Sequence, residues 1–145
     1  MAKEIGLVFD KRGRTLYWIN NAGRTWGSIP DSRDLWVFIW DHRDEIGGVA
    51  HVHPWEGSAW YSETDVTTFA AVEAGLGKRL IWAIVTLDHI GYFRWTGPHA
   101  LNYGRCGGRR FRLKDINELR QQAVQGEKNG NQSGSLECDM ERAER

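Results

Sequence analysis

The chain has 145 residues and a mass of 16.6 kDa, enough for one core of ordinary size and too little for two, so a single domain is expected. Its 19 Lys and Arg balance 19 Asp and Glu, which leaves no electrostatic footprint for nucleic acid or an anionic membrane, and neither is expected as a partner. No apolar run reaches the roughly 18 residues that span a bilayer, and the N-terminus meets Asp10 and Lys11 too early to hold a secretory apolar stretch, so the expected location is cytoplasmic.

Taken in chain order, Glu4 to Ile19 reads as a hairpin, EIGLVFD and RTLYWI around a turn at Lys11-Arg12-Gly13. Asn20 to Gly23 is a loop by composition. Leu35, Phe38, Ile39 and His42 recur at helical spacing, and Asp31 or Ser32 is placed to cap that helix. Ile46 to His53 is a short apolar stretch closed by Pro54, which cannot donate to a ladder; it reads as a central strand. PWEGSAWY is a loop. The following SETDVTTFAAVEAGLG puts Val66, Phe69, Ala70 and Leu76 on one helical face, with Gly75 and Gly77 as a stop. RLIWAIVTL and IGYFRW, joined at Asp88-His89, read as two more strands. Residues 97 to about 113 are rich in Gly and Arg, KDINELRQQAV from Lys114 can form an amphipathic helix, and residues 126–145 have almost nothing to bury and are expected to be a disordered tail. The order of elements implies an α/β (α+β) fold, a mixed central sheet flanked by helices.

Cys106 and Cys138 have no second Cys at zinc-finger spacing and are expected to be unpaired thiols. Of eight tryptophans, about three in four are expected in the core. The basic stretch Gly104 to Arg112 reads as a solvated loop.

The chemistry concentrates in His51-Val52-His53-Pro54 and Ser62-Glu63-Thr64-Asp65. Side chains alternate along a strand, so His51 and His53 project from one face, about 6–7 Å apart along the chain, and can converge on one ion. Asp65, in the first turn of the second helix, can be brought back over the strand end as a third ligand. Two His and an Asp leave one position of a tetrahedral zinc for water, the mark of a catalytic site. Standing alone, Ser62 to Asp65 reads more readily as a capping box and a lone strand His as a hydrogen-bonded core residue, but two His at i and i+2 immediately before Pro, next to a helix start with an acid, are harder to explain as packing.

At these residues the sequence resembles the JAMM motif of the JAB/MPN (Mov34/MPN/PAD-1) metalloprotease family, a Glu followed at a distance by His-x-His-Pro and Ser-x-x-Asp. The similarity covers about residues 4 to 95 and implies a JAB/MPN-like core over 1–97, without the family's usual first helix, and a C-terminal extension over 98–125. It implies zinc held by His51, His53 and Asp65, with Glu4 as the base and Ser62 supporting the oxyanion. Glu56 and Glu45 are the competing acids for the base. The implied activity is a zinc (Zn2+) peptidase or isopeptidase acting on a ubiquitin-like tail or similar extended peptide, with a partner chain or a second copy as a further expectation. Trp55, Trp60 and Tyr61 are placed to wall a groove for such a peptide. The competing reading is an MPN-type scaffold or binding module without turnover. A barrel amidohydrolase needs about 250 residues, and the zinc deaminase signature is missing.

Overall fold

The computed structural model describes residues 4–21, 33–107 and 112–128. The opening hairpin forms as its alternation demands, with β1 at Glu4–Asp10 and β2 at Thr15–Asn21. The Asp10 carboxylate fastens the turn by accepting from the N–H groups of Arg12 and Arg14, each at 2.9 Å. Gly13 is required there twice over: its φ is +88°, and a Cβ would lie 2.1 Å from the Arg112 carbonyl oxygen.

Helix α1 (Arg33–Asp41) buries Leu35 and Ile39, and strand β3 (Ile46–Val52) follows. Helix α2 (Glu63–Leu76) crosses to β4 (Ile81–Val85), which turns into β5 (Ile90–Trp95). The expected cap residues of α1, Asp31 and Ser32, lie outside the described residues. Among the described residues, six strands stand in the order β2-β1-β3-β4-β5-β6. Of their pairings only β3 with β4 is parallel, as a strand-helix-strand crossover permits, so the carboxyl ends of these two strands meet at Val52 and Val85.

Both faces of the sheet are covered. Val8, Val49, Trp82, Ile84 and Phe93 face α1 and α2, where Val66, Phe69, Val72 and Leu76 complete the larger core. Leu7, Phe9, Ala50, Val52, Ala83 and Val85 face the opposite way, toward Leu119 and Ala123 of α3 (Ile116–Lys128). No helix among the described residues is long and apolar enough to cross a membrane.

Three expectations are corrected. The Gly- and Arg-rich stretch contains a sixth strand, β6 at Tyr103–Arg105, which pairs antiparallel with β5. Helix α3 continues past Gly126 to Lys128, into the segment expected to be tail; residues from 129 onward lie outside the described residues. Among the described residues the tryptophans are also less buried than expected, Trp26 lying outside them. Trp82 is fully buried, while Trp18, Trp40, Trp55 and Trp60 are exposed. At the surface Arg43 lies over the Trp40 ring and Arg105 over the Trp60 ring, and Arg79 lies over the partly buried Trp95. Cys106 is a free thiol, and Cys138 lies outside the described residues.

Candidate metal centre

Strand alternation puts His51 on the α2 face of the sheet, two residues after Val49. The ladder extends one residue further, since the His53 N–H donates to the Val85 carbonyl at 2.8 Å. This holds the second imidazole in register with the first. Beyond it Pro54 ends the pairing, and the Leu87 N–H donates to the Trp55 carbonyl at 2.9 Å. Gly57, at φ +118°, donates its N–H to Asp88 Oδ1 at 2.9 Å and accepts from the Thr86 hydroxyl at 2.8 Å. The Gly57 N–H, with His89 beside it, holds the Asp88 carboxyl down at about 2. The loop after His53 is thus fastened to the β4–β5 turn.

At the far end of that loop Ser62 starts α2. Its Oγ accepts from the Asp65 N–H at 3.0 Å, and its own N–H donates to Asp65 Oδ2 at 2.8 Å, a complete capping box. The capping reading holds for Asp65, and the same carboxylate faces the two histidines. Its Oδ1 stands 3.3 Å from His51 Nε2 and its Oδ2 3.5 Å from His53 Nε2, while the two Nε2 atoms are 2.9 Å apart.

His51 and Asp65 are buried, and His53 is slightly open at 13% side-chain exposure. Burial drives the His51 imidazole down to about 3, overriding the pull of the Asp65 charge toward protonation. Burial also raises the Asp65 carboxyl, but the His53 hydrogen bond, the adjacent His51 imidazole and the Ser62 N–H hold it below the usual carboxylate range. The site therefore keeps a neutral His51 imidazole and an ionised Asp65 carboxylate, the protonation states in which these groups bind cations. The three side chains offer ligand atoms all within 4.8 Å of one another and can hold a metal ion.

Other expected residues fall differently. Glu4 opens β1, and two residues along that strand Gly6 pairs with His51; the Glu4 side chain lies outside the described residues. Glu56 is exposed in the loop between Trp55 and Gly57. Glu45 precedes β3 at its other end, roughly 20 Å from His51 at the strand rise of ~3.3 Å per residue, and so cannot serve this site. Trp55 lies against the open histidine, with ring centroids 4.6 Å apart, and is 54% exposed. Trp60 packs edge-on to Phe93, and the Tyr61 hydroxyl donates to the Tyr103 carbonyl at 2.7 Å.

Sequence reasoning misses Glu73, a carboxylate buried in α2. A signal for it exists: an acid at i+4 from Phe69 and i+8 from Asp65 interrupts an apolar helix face. Set against known proteins, the chain matches no family model and no curated protein.

Proposed function

We propose that this chain is a zinc-dependent hydrolase of amide bonds, working in the manner of the JAB/MPN metalloproteases whose JAMM motif it resembles. The observation that carries the reading is the meeting of His51, His53 and Asp65 at one buried point, with donor separations of 2.9–3.5 Å. Tetrahedral zinc with bonds of about 2.0–2.1 Å sets its ligand atoms about 3.3 Å apart, inside that range. Two imidazoles and a carboxylate form a donor set of the kind found at catalytic zinc, which takes three protein ligands and keeps a fourth position open. When bound, zinc lowers the pKa of water toward ~7 and polarises a carbonyl.

The chain's own groups supply the rest. The reciprocal bonds with Ser62 aim the Asp65 carboxylate, and the β4 ladder holds the His53 backbone. The Ser62 hydroxyl already accepts from the Asp65 N–H, and the reading assigns its hydrogen to the substrate's carbonyl oxygen as negative charge develops there. Glu4 is assigned the proton taken from water, carried on its carboxylate and returned to the leaving nitrogen. Support for Glu4 over Glu56 comes from the backbone: β1 pairs directly with β3, and Glu4 is two residues from the partner of His51, whereas Glu56 sits in an exposed loop. An extended peptide, such as the tail of a ubiquitin-like protein, is the proposed substrate.

The test is zinc analysis of the purified chain combined with hydrolysis of quenched peptides and ubiquitin-like fusions, with and without chelator. About one zinc per chain and chelator-sensitive cleavage are expected. A zinc-loaded chain that cleaves no amide substrate would return the molecule to the scaffold reading.

A further inference from the structure

Two of the metal donors ride on β3 and its one-residue extension and the third on α2, so the donor triangle depends on where α2 sits along the sheet. Apolar packing is non-directional and leaves a helix free to slide or roll by fractions of an ångström. Metal ligands tolerate only about 0.2 Å of error. Some directional contact must therefore set the helix.

Glu73 supplies one. Asp65, Phe69 and Glu73 follow each other at i+4 spacing and are all buried, so they form a single ridge of α2 directed at the sheet. At its middle Phe69 stacks on Trp82 of β4, with centroids 4.4 Å apart and planes 15° from parallel. At its end the Glu73 carboxylate takes donors from three separate places. Oε2 accepts from the Trp82 indole N–H at 2.7 Å and the Leu80 N–H at 3.0 Å; Oε1 accepts from Arg79 at 2.9 Å and from the Tyr103 hydroxyl of β6. Tyr103 then reaches the other end of the helix, because its carbonyl accepts from the hydroxyl of Tyr61, the residue before the Ser62 cap.

A buried charge is weak evidence for stability, since apolar residues of similar volume often serve as well, and its best-attested use is to specify register. Resting on the metal reading above, we infer that Glu73 is a positioning residue for the metal centre, fixing α2 on β4 and β6 so that Asp65 stands at ligand distance from His51 and His53. It touches no donor itself.

The experiment titrates the full chain with zinc against a chromophoric chelator and records the visible spectrum with Co2+ alone, for wild type, Glu73→Gln and Val72→Ala. Gln keeps the shape but offers one acceptor oxygen and turns an NH2 toward a donor N–H, so the helix loses its setting. The expected result is a zinc Kd raised about tenfold or more and an altered Co2+ band in Glu73→Gln, the scale seen when groups supporting a metal ligand are removed. Val72→Ala, which opens the same helix's core packing, is expected to lower Tm while leaving both metal readouts in place. Should Glu73→Gln fail to fold, Tyr103→Phe, which removes one donor and keeps the ring, is expected to raise the Kd by a smaller factor. The inference is overturned if the folded Glu73 or Tyr103 variant binds zinc as wild type does, or if Val72→Ala weakens zinc as much as Glu73→Gln. A wild type that takes up no zinc overturns it together with the metal reading, and a zinc-binding wild type with no peptidase activity leaves it standing.

Discussion

Ser62 and Asp65 hold each other twice, the Asp65 N–H on Ser62 Oγ at 3.0 Å and the Ser62 N–H on Asp65 Oδ2 at 2.8 Å. One carboxylate therefore caps the start of α2 and belongs to the His51-His53-Asp65 group that can hold a metal ion, and the cap fixes its direction toward the two histidines.

The two roles of Asp65 separate by substitution. Asp65→Asn is expected to keep α2 folded by circular dichroism, because Asn can still accept a cap bond, but to weaken zinc binding markedly, because an amide is a poorer ligand than a carboxylate. Ser62→Ala is expected to cost about 1 kcal/mol of stability through the lost cap. Zinc affinity unchanged in Asp65→Asn would remove Asp65 from the ligand set.

For the histidines, His51→Ala and His53→Ala are each expected to abolish tight zinc uptake, since two remaining donors do not hold an ion firmly. Zinc should raise the Tm of the wild type in a concentration-dependent way and leave both variants unmoved, as mass action requires of a ligand that binds only the folded state. Calorimetry with and without zinc checks this. Full zinc retention by either variant would dismiss that residue as a ligand.

Assignment of the proton acceptor is open to a direct comparison. Glu4→Gln is expected to retain zinc and fold while lowering peptide hydrolysis about 10²-fold or more, as loss of a general base does. Glu56→Gln is expected to be nearly silent, because its carboxylate sits in an exposed loop. Reversed results would move the base to Glu56.

The zinc-free protein should lose stability on mild acidification. His51 protonates near 3 in the folded chain and near the ordinary value of 6.5 when unfolded. Between those values the unfolded state binds the extra proton, so the contribution of neutral His51 is fully present above about 6.5 and declines as pH falls toward 3. From pH 6.5 to about 4.5, above the usual carboxylate range, urea midpoints of zinc-free wild type should fall, and those of His51→Gln should fall less. Equal slopes would show that His51 is not held neutral by burial.

Much of this architecture is legible in the amino-acid sequence. The hairpin, the central strand, α2 and the β4–β5 pair follow from alternation, apolar runs and the punctuation of Pro54, Gly77 and Asp88. The convergence of His51 and His53 is readable from their i, i+2 spacing, and Asp65 from its place at a helix start. β6 is not, since three residues with one buried aromatic make no periodic signal. The pairing of β1 with β3, which sets Gly6 beside His51, joins strands separated by β2 and α1 and leaves no local trace. Tryptophan burial escapes a composition argument because an indole satisfied by a guanidinium is as well placed at the surface as in a core.

The three donors all fall between residues 51 and 65, inside the β3-α2-β4 crossover, whereas the acid assigned to proton transfer belongs to a hairpin that reaches the site only by strand pairing. Bringing the donors together closes a short stretch of chain and carries a small entropic cost; bringing in the acid requires long-range assembly. On the proposed reading, holding a metal and moving a proton therefore rest on different parts of the fold, one closed locally within the crossover and the other reached only by long-range strand pairing.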